Sequence, residues 1–93
     1  MSKKFNKIEI YTKPGCPACV AVKDAVENRF ANLFETVEIS TIGEDISVKQ
    51  LTERLRFQPR AVPQVMIDDQ YIGGSTKTIE FLSRVLQKEN STT

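Results

Sequence analysis

The apolar residues of the first forty positions change their period twice. Lys7-Ile8-Glu9-Ile10-Tyr11 alternates and is rich in β-branched and aromatic side chains, the pattern of a short strand. Ala18, Val22, Val26 and Phe30 then recur every four residues, with Lys23, Asp24, Glu27 and Arg29 between them. That spacing predicts an amphipathic helix of roughly 12–14 residues. Pro17 opens it, at the helical position where a missing N–H costs nothing. Phe34–Ile39 alternates again and makes a second strand. A strand–helix–strand crossover of this kind implies two parallel strands with a right-handed connection.

The second half follows different rules. Ser47 and Gln50 have capping-box spacing, and Ile46 with Leu51 can form a hydrophobic staple before a helix whose apolar face carries Val48, Leu51 and Leu55. Phe57–Ala61 is irregular. Gln64–Ile67 reads as a third strand, and Asp68-Asp69-Gln70 turns the chain into a very short fourth at Tyr71-Ile72. Gly73-Gly74 precedes a last helix carrying Ile79, Leu82, Val85 and Leu86, with Ser75 or Thr76 as the expected N-cap. The order is βαβαββα, an α/β arrangement in which the tight turn makes the last two strands antiparallel within a small mixed sheet. A chain of 93 residues, 40% apolar, suits one domain over 1–93, with residues 1–6 and 89–93 polar and expected to fray.

Composition narrows the function. Thirteen Lys and Arg against twelve Asp and Glu leave a net charge of +1, which argues against a dedicated nucleic-acid binder. No stretch is long and apolar enough to span a bilayer, and no signal-peptide run follows the polar start, so a reducing cytoplasmic setting is expected. The absence of histidine removes Ser-His-Asp and Cys-His triads and every histidine-ligated metal site. What remains is sulfur. The two cysteines stand in Cys16-Pro17-Ala18-Cys19, directly after the first strand and opening the helix.

Three readings of that pair compete. Two buried cysteines can act as small apolar residues. A zinc or iron–sulfur site needs four ligands, so two thiols would require a dimer or an added thiol. A dithiol redox centre needs one activated sulfur and a second within reach. Cys16 falls where free N–H groups and the helix dipole favour the thiolate, and Lys13 adds a cation nearby. Cys19 lies one turn inside, close enough for a disulfide without backbone rearrangement. The strand–helix setting favours redox chemistry, with Cys16 attacking and Cys19 resolving.

Three segments together resemble the glutaredoxin family of dithiol oxidoreductases, in its bacterial and phage branch. They are Tyr11-Thr12-Lys13-Pro14-Gly15-Cys16-Pro17-Ala18-Cys19, Ala61-Val62-Pro63-Gln64-Val65-Met66-Ile67-Asp68 and Tyr71-Ile72-Gly73-Gly74-Ser75-Thr76. The resemblance covers roughly residues 7–88. It implies a thioredoxin-like fold, a four-stranded mixed sheet with helices on both faces. It also implies catalytic Cys16 and Cys19, and a cis Pro63 opposite them. Val62 would pair through its backbone with the cysteinyl part of glutathione. Gly74, Ser75 and Thr76 would receive the γ-glutamyl carboxylate, and Lys13 would lie near the glycyl end. The implied reaction is reduction of protein disulfides and glutathione mixed disulfides, with glutathione as reducing co-substrate, no bound cofactor, no metal and a monomeric state. Ribonucleotide reductase is a usual recipient in that branch, but no residue here selects it.

Three positions depart from the pattern. Ala18 stands where the spacer usually carries tyrosine, Ala61 where threonine precedes Val-Pro, and Lys77 where an aspartate usually pairs with the ammonium of glutathione. The rivals are a thioredoxin-like carrier reduced by a flavoprotein reductase, and a cluster- or zinc-bridged dimer without turnover. The first usually carries tryptophan before its Gly-Pro, and this chain has none. Pro17 disfavours the second.

Overall fold

The computed structural model describes residues 3–91. Its elements are β1 (Phe5–Thr12), α1 (Pro17–Asn28), β2 (Phe34–Thr41), α2 (Val48–Leu55), β3 (Gln64–Ile67), β4 (Gln70–Gly73) and α3 (Ser75–Ser91), with a 3-10 turn at Ala31–Leu33. The order βαβαββα is the one the periodicity implies. One sheet runs β2-β1-β3-β4. β1 and β2 are parallel, as the crossover requires, while β1–β3 and β3–β4 are antiparallel. The fold is thioredoxin-like, and no helix among the described residues is long and apolar enough to cross a membrane.

Strand alternation sorts the core onto two faces. Ile8 and Ile10 of β1, with Val65 and Ile67 of β3, meet Val22 and Val26 of α1, Phe30 just beyond it, and Leu82 of α3. On the other face Tyr11 and Met66 meet Leu51 and Leu55 of α2. The capping box of α2 is present. Gln50 N–H donates to Ser47 Oγ at 3.0 Å, and Ser47 N–H donates to Gln50 Oε1 at 2.9 Å. Asp68 and Asp69, at φ of 48° and 68°, make the two-residue connection of β3 to β4, left-handed positions that aspartate tolerates.

Three boundaries differ from the sequence reading. β1 begins at Phe5, so residues 5 and 6 are ordered strand rather than frayed chain. The reason is tertiary: the Phe5 ring stacks on Phe34 at 5.4 Å, and the Asp68 carboxylate accepts the N–H groups of Asn6 and Lys7, each at 2.9 Å. At the other end α3 continues to Ser91, and Lys4 Nζ lies 3.6 Å from Glu89 Oε1. Residues 1, 2, 92 and 93, also expected to fray, lie outside the described residues. Finally, α3 starts at Ser75 and its first backbone bond runs from Thr78 N–H to Gly74 C=O at 3.1 Å, which makes Gly74 the N-cap and puts Ser75 and Thr76 in the first turn. A glycine with its carbonyl so placed can end the preceding strand and begin the helix without a side-chain cap.

Candidate active site

Lys13-Pro14-Gly15-Cys16 carry the chain from β1 into α1. Gly15 takes φ of 74°, a left-handed conformation that favours glycine and turns the backbone sharply at this junction. Cys16 is the N-cap of α1, and its Sγ accepts the backbone N–H of Cys19 at 3.2 Å. A sulfur in that position receives one of the donors that a helix start leaves without an intrahelical partner, and faces the positive end of its dipole. Its thiol also donates to the Val62 carbonyl at 3.8 Å.

The two thiols are unbridged and unequal. Cys16 is half-buried, whereas Cys19 is only 2% exposed. Burial pushes the Cys19 thiol up, and its hydrogen bond with Cys16 adds to that. The charge of Lys23, one turn further along α1, opposes both. Cys19 is thus a sulfur that keeps its proton while Cys16 is the one a reactant can reach.

Val62 stands opposite the dithiol because β3 pairs antiparallel with β1, bringing Gln64 beside Tyr11. The Val62–Pro63 bond is cis, as the resemblance implies. Lys13, Ala61 and Val62 line a cavity of about 190 Å³ together with Arg60, over Ile42 and Val48. Pro63 is buried, and Gly74 packs on it, so that a Cβ at 74 would lie 3.5 Å from the Pro63 carbonyl oxygen. Ser75 and Thr76 open α3 beyond that contact. Lys77 lays its stem over Gly73, where a Cβ would meet Lys77 Cδ at 3.1 Å and where φ of 136° also favours glycine.

The structure therefore links Cys16 to Val62 by a hydrogen bond, Lys13 to Val62 by a shared cavity, and Pro63 to Gly74 by direct packing. Three residues that the motifs did not single out belong beside them. Arg60 adds a second cation to the cavity of Lys13. Lys23 and Glu44 line a recess that also takes in Lys13, Cys16 and Cys19. Both lysine and arginine had a local signal, Lys23 one helical turn after Cys19 and Arg60 two residues before Val62. Among the described residues, no group of three or more His, Cys, Asp or Glu side chains is placed to hold a metal ion.

Comparison with known proteins agrees with this geometry. The glutaredoxin family model matches residues 8–72. A glutaredoxin of Vibrio cholerae is 34% identical over 71 residues, 74% of this chain and 82% of that protein. Glutaredoxin 1 of Escherichia coli is 32% identical over 69 residues, 72% of this chain and 81% of its own length. The solution structure of oxidised E. coli glutaredoxin superimposes with a TM-score of 0.66 at 28% identity, covering 87% of this chain and 98% of the other. With the dithiol at the start of α1 and Val62-Pro63 facing it, the chain belongs to the glutaredoxin family of thiol–disulfide oxidoreductases.

Proposed function

We propose that the chain is a glutathione-dependent oxidoreductase that reduces protein disulfides and glutathione mixed disulfides. The observation that carries this reading is the asymmetry of the dithiol, an accessible Cys16 at a helix N-terminus backed by a buried Cys19. The Cys16 thiolate attacks one sulfur of a substrate disulfide, forming a mixed disulfide and releasing the other half as a thiolate. Cys19 then loses its proton and attacks Cys16 Sγ, which frees the substrate's second thiol and leaves a Cys16–Cys19 disulfide. One glutathione thiolate opens that bond to give glutathionylated Cys16. A second removes it as oxidised glutathione, so two glutathione molecules supply the two electrons.

The ligand site follows from chemistry already described. The backbone of Val62, whose carbonyl faces Cys16 Sγ, is the partner for the cysteinyl part of glutathione. Lys13 and Arg60 supply cations for its glycyl carboxylate, and the first turn of α3, at Ser75 and Thr76 after Gly74, offers backbone N–H groups to the γ-glutamyl carboxylate. Lys77 occupies the same turn and offers no partner to the γ-glutamyl ammonium. The reaction suits a reducing cytoplasm and a monomer, and a disulfide of ribonucleotide reductase is one substrate of the right chemistry.

The test separates the two sulfurs. Cys16→Ser is expected to abolish all exchange. Cys19→Ser should keep reduction of glutathione mixed disulfides, a one-thiol reaction, and lose reduction of protein disulfides. Both are measured with glutathione and its reductase as the electron supply, and again with a flavoprotein thioredoxin reductase. Equal behaviour of the two variants would overturn the roles, and turnover with the second supply alone would overturn the dependence on glutathione.

A further inference from the structure

Gln64 opens β3 and is 6% exposed. Its Nε2 donates to the Ala61 carbonyl at 2.7 Å, and its Oε1 accepts from the Tyr71 hydroxyl at 2.6 Å. The Tyr71 ring meets Phe57 edge-on, with centroids 4.9 Å apart and planes at 80°. A carbonyl only accepts, so the amide nitrogen must face Ala61. That leaves the amide oxygen for Tyr71, whose hydroxyl must then donate. One arrangement satisfies both ends, and the side chain is locked in it.

The lock acts on the neighbouring residue. The Ala61 oxygen and the Val62 N–H belong to one planar peptide. That bond is trans, the cis peptide among the described residues being Val62–Pro63, so the two groups point in opposite directions. Fixing the oxygen on Gln64 therefore aims the Val62 N–H away from Gln64, while the Val62 C=O faces Cys16 Sγ. A peptide-like ligand laid along Val62 would find its main-chain donor already oriented, at no further cost in backbone freedom.

We propose that Gln64 is a positioning residue: by holding the Ala61 carbonyl, with Tyr71 fixing its amide, it presents the Val62 N–H to the main chain of a glutathione-bearing disulfide seated on Cys16. The inference rests on the reading of Val62 as the backbone partner of glutathione.

Two disulfides separate recognition from reactivity. Oxidised glutathione has peptide groups, and bis(2-hydroxyethyl) disulfide has none. In single turnover with the reduced protein, both undergo attack by the Cys16 thiolate, form a Cys16–S–S–R bond and release a thiolate. The ratio of their rate constants therefore cancels the reactivity of Cys16. Gln64→Leu is expected to lower that ratio roughly three- to tenfold, the effect of one aligned hydrogen bond. Tyr71→Phe, at an exposed ring, should lower it less, and keeps the inference testable if Gln64→Leu does not fold. Gln64→Glu is the sharpest variant. Its carboxylate opposes the Ala61 oxygen, but once protonated it regains a donor. The ratio should then recover as the pH is lowered from 8 to about 5, across a range where a buried carboxyl titrates, while the wild-type ratio stays flat. Equal losses on both disulfides, or a Gln64→Glu ratio that ignores pH, would overturn the positioning role. A wild-type protein without preference between the disulfides would overturn the reading of Val62 as well.

Discussion

The two faces of the sheet are built from different chemistry. Toward α1 and α3, β1 and β3 present Ile8, Ile10, Val65 and Ile67 to Val22, Val26, Phe30 and Leu82, an apolar layer. Toward α2, the same two strands present Glu9, Tyr11, Gln64 and Met66. There the Tyr11 hydroxyl donates to Glu9 Oε1, Arg54 Nε donates to the same oxygen at 3.0 Å, and Arg54 Nη2 reaches both Glu9 Oε2 and Asp69 Oδ1, the latter at 2.6 Å. Burial alone would raise the Glu9 carboxyl, but hydrogen bonds from Arg54 and Tyr11 and the charge of Lys7 hold it below its usual range. Burial and the Glu9 carboxylate push the Tyr11 hydroxyl up to about 12. Apolar burial is non-directional and supplies stability, whereas hydrogen bonds supply orientation. The face that carries orientation includes Gln64, next to the segment that faces the cysteines.

That contrast can be broken in three places. The largest expected effect lies on the apolar face. Phe30 is fully buried there, and Phe30→Ala should cost about 3–5 kcal/mol in urea unfolding, the sum of lost transfer energy and a residual cavity. A cost below about 1 kcal/mol would mean that this layer is not where the stability resides.

Arg54→Met comes next, because it leaves Glu9 buried beside Tyr11 without its guanidinium. The expected cost at pH 7 is about 2–3 kcal/mol, less than for a wholly buried pair because the Arg54 side chain is 32% exposed. The sign of the pH dependence follows from the depressed Glu9 carboxyl. Its contribution is present above the ordinary carboxylate range and is lost as pH falls through the lower folded value. In Arg54→Met, burial instead favours the protonated acid. The gap between the two proteins should therefore be widest near neutrality and narrow on acidification toward pH ~3–4. A gap indifferent to pH would assign the loss to packing of the arginine stem.

The smallest effect has the opposite sign. Thr78 is fully buried, and its Oγ1 is the one buried side-chain polar atom among the described residues that lacks a hydrogen-bond partner. Thr78→Val should raise stability by about 0.5–1 kcal/mol in thermal melts, since it removes a desolvated hydroxyl at nearly constant shape. Destabilisation would show that the hydroxyl is satisfied after all.

Legibility in the sequence tracked the range of the interactions. Periodicity and turn signals gave the four strands and three helices but not the 3-10 turn at Ala31–Leu33, and the Ser47–Gln50 box is visible because its partners are three residues apart. The Cys16–Cys19 pair is equally local. By contrast, Cys16 meets Val62 across 46 positions, and Arg54 meets Glu9 across 45. No local pattern encodes either, and only the family resemblance anticipated the first. Alternation marks Glu9 and Tyr11 as one side of β1 but does not say that α2 closes over them. The same limit explains Phe5 and Asn6, which read as a polar tail until Phe34 and Asp68 are placed beside them. Gln64 lies within the Ala61–Asp68 motif, yet its role depends on Tyr71 arriving from the next strand.

β1 and β3 are the two inner strands, and β2 and β4 the edges. Amide hydrogen exchange in proteins proceeds through openings that range from local fraying to complete unfolding, and central strands exchange last. The segments bearing Cys16 and Val62 grow from the ends of the inner strands. The start of α3 instead follows edge strand β4. On the proposed glutathione reading, the γ-glutamyl end would therefore rest on a less protected cooperative unit than the cysteinyl end beside Cys16 and Val62, and transient detachment of the β4 edge would release the first while the second kept its registry.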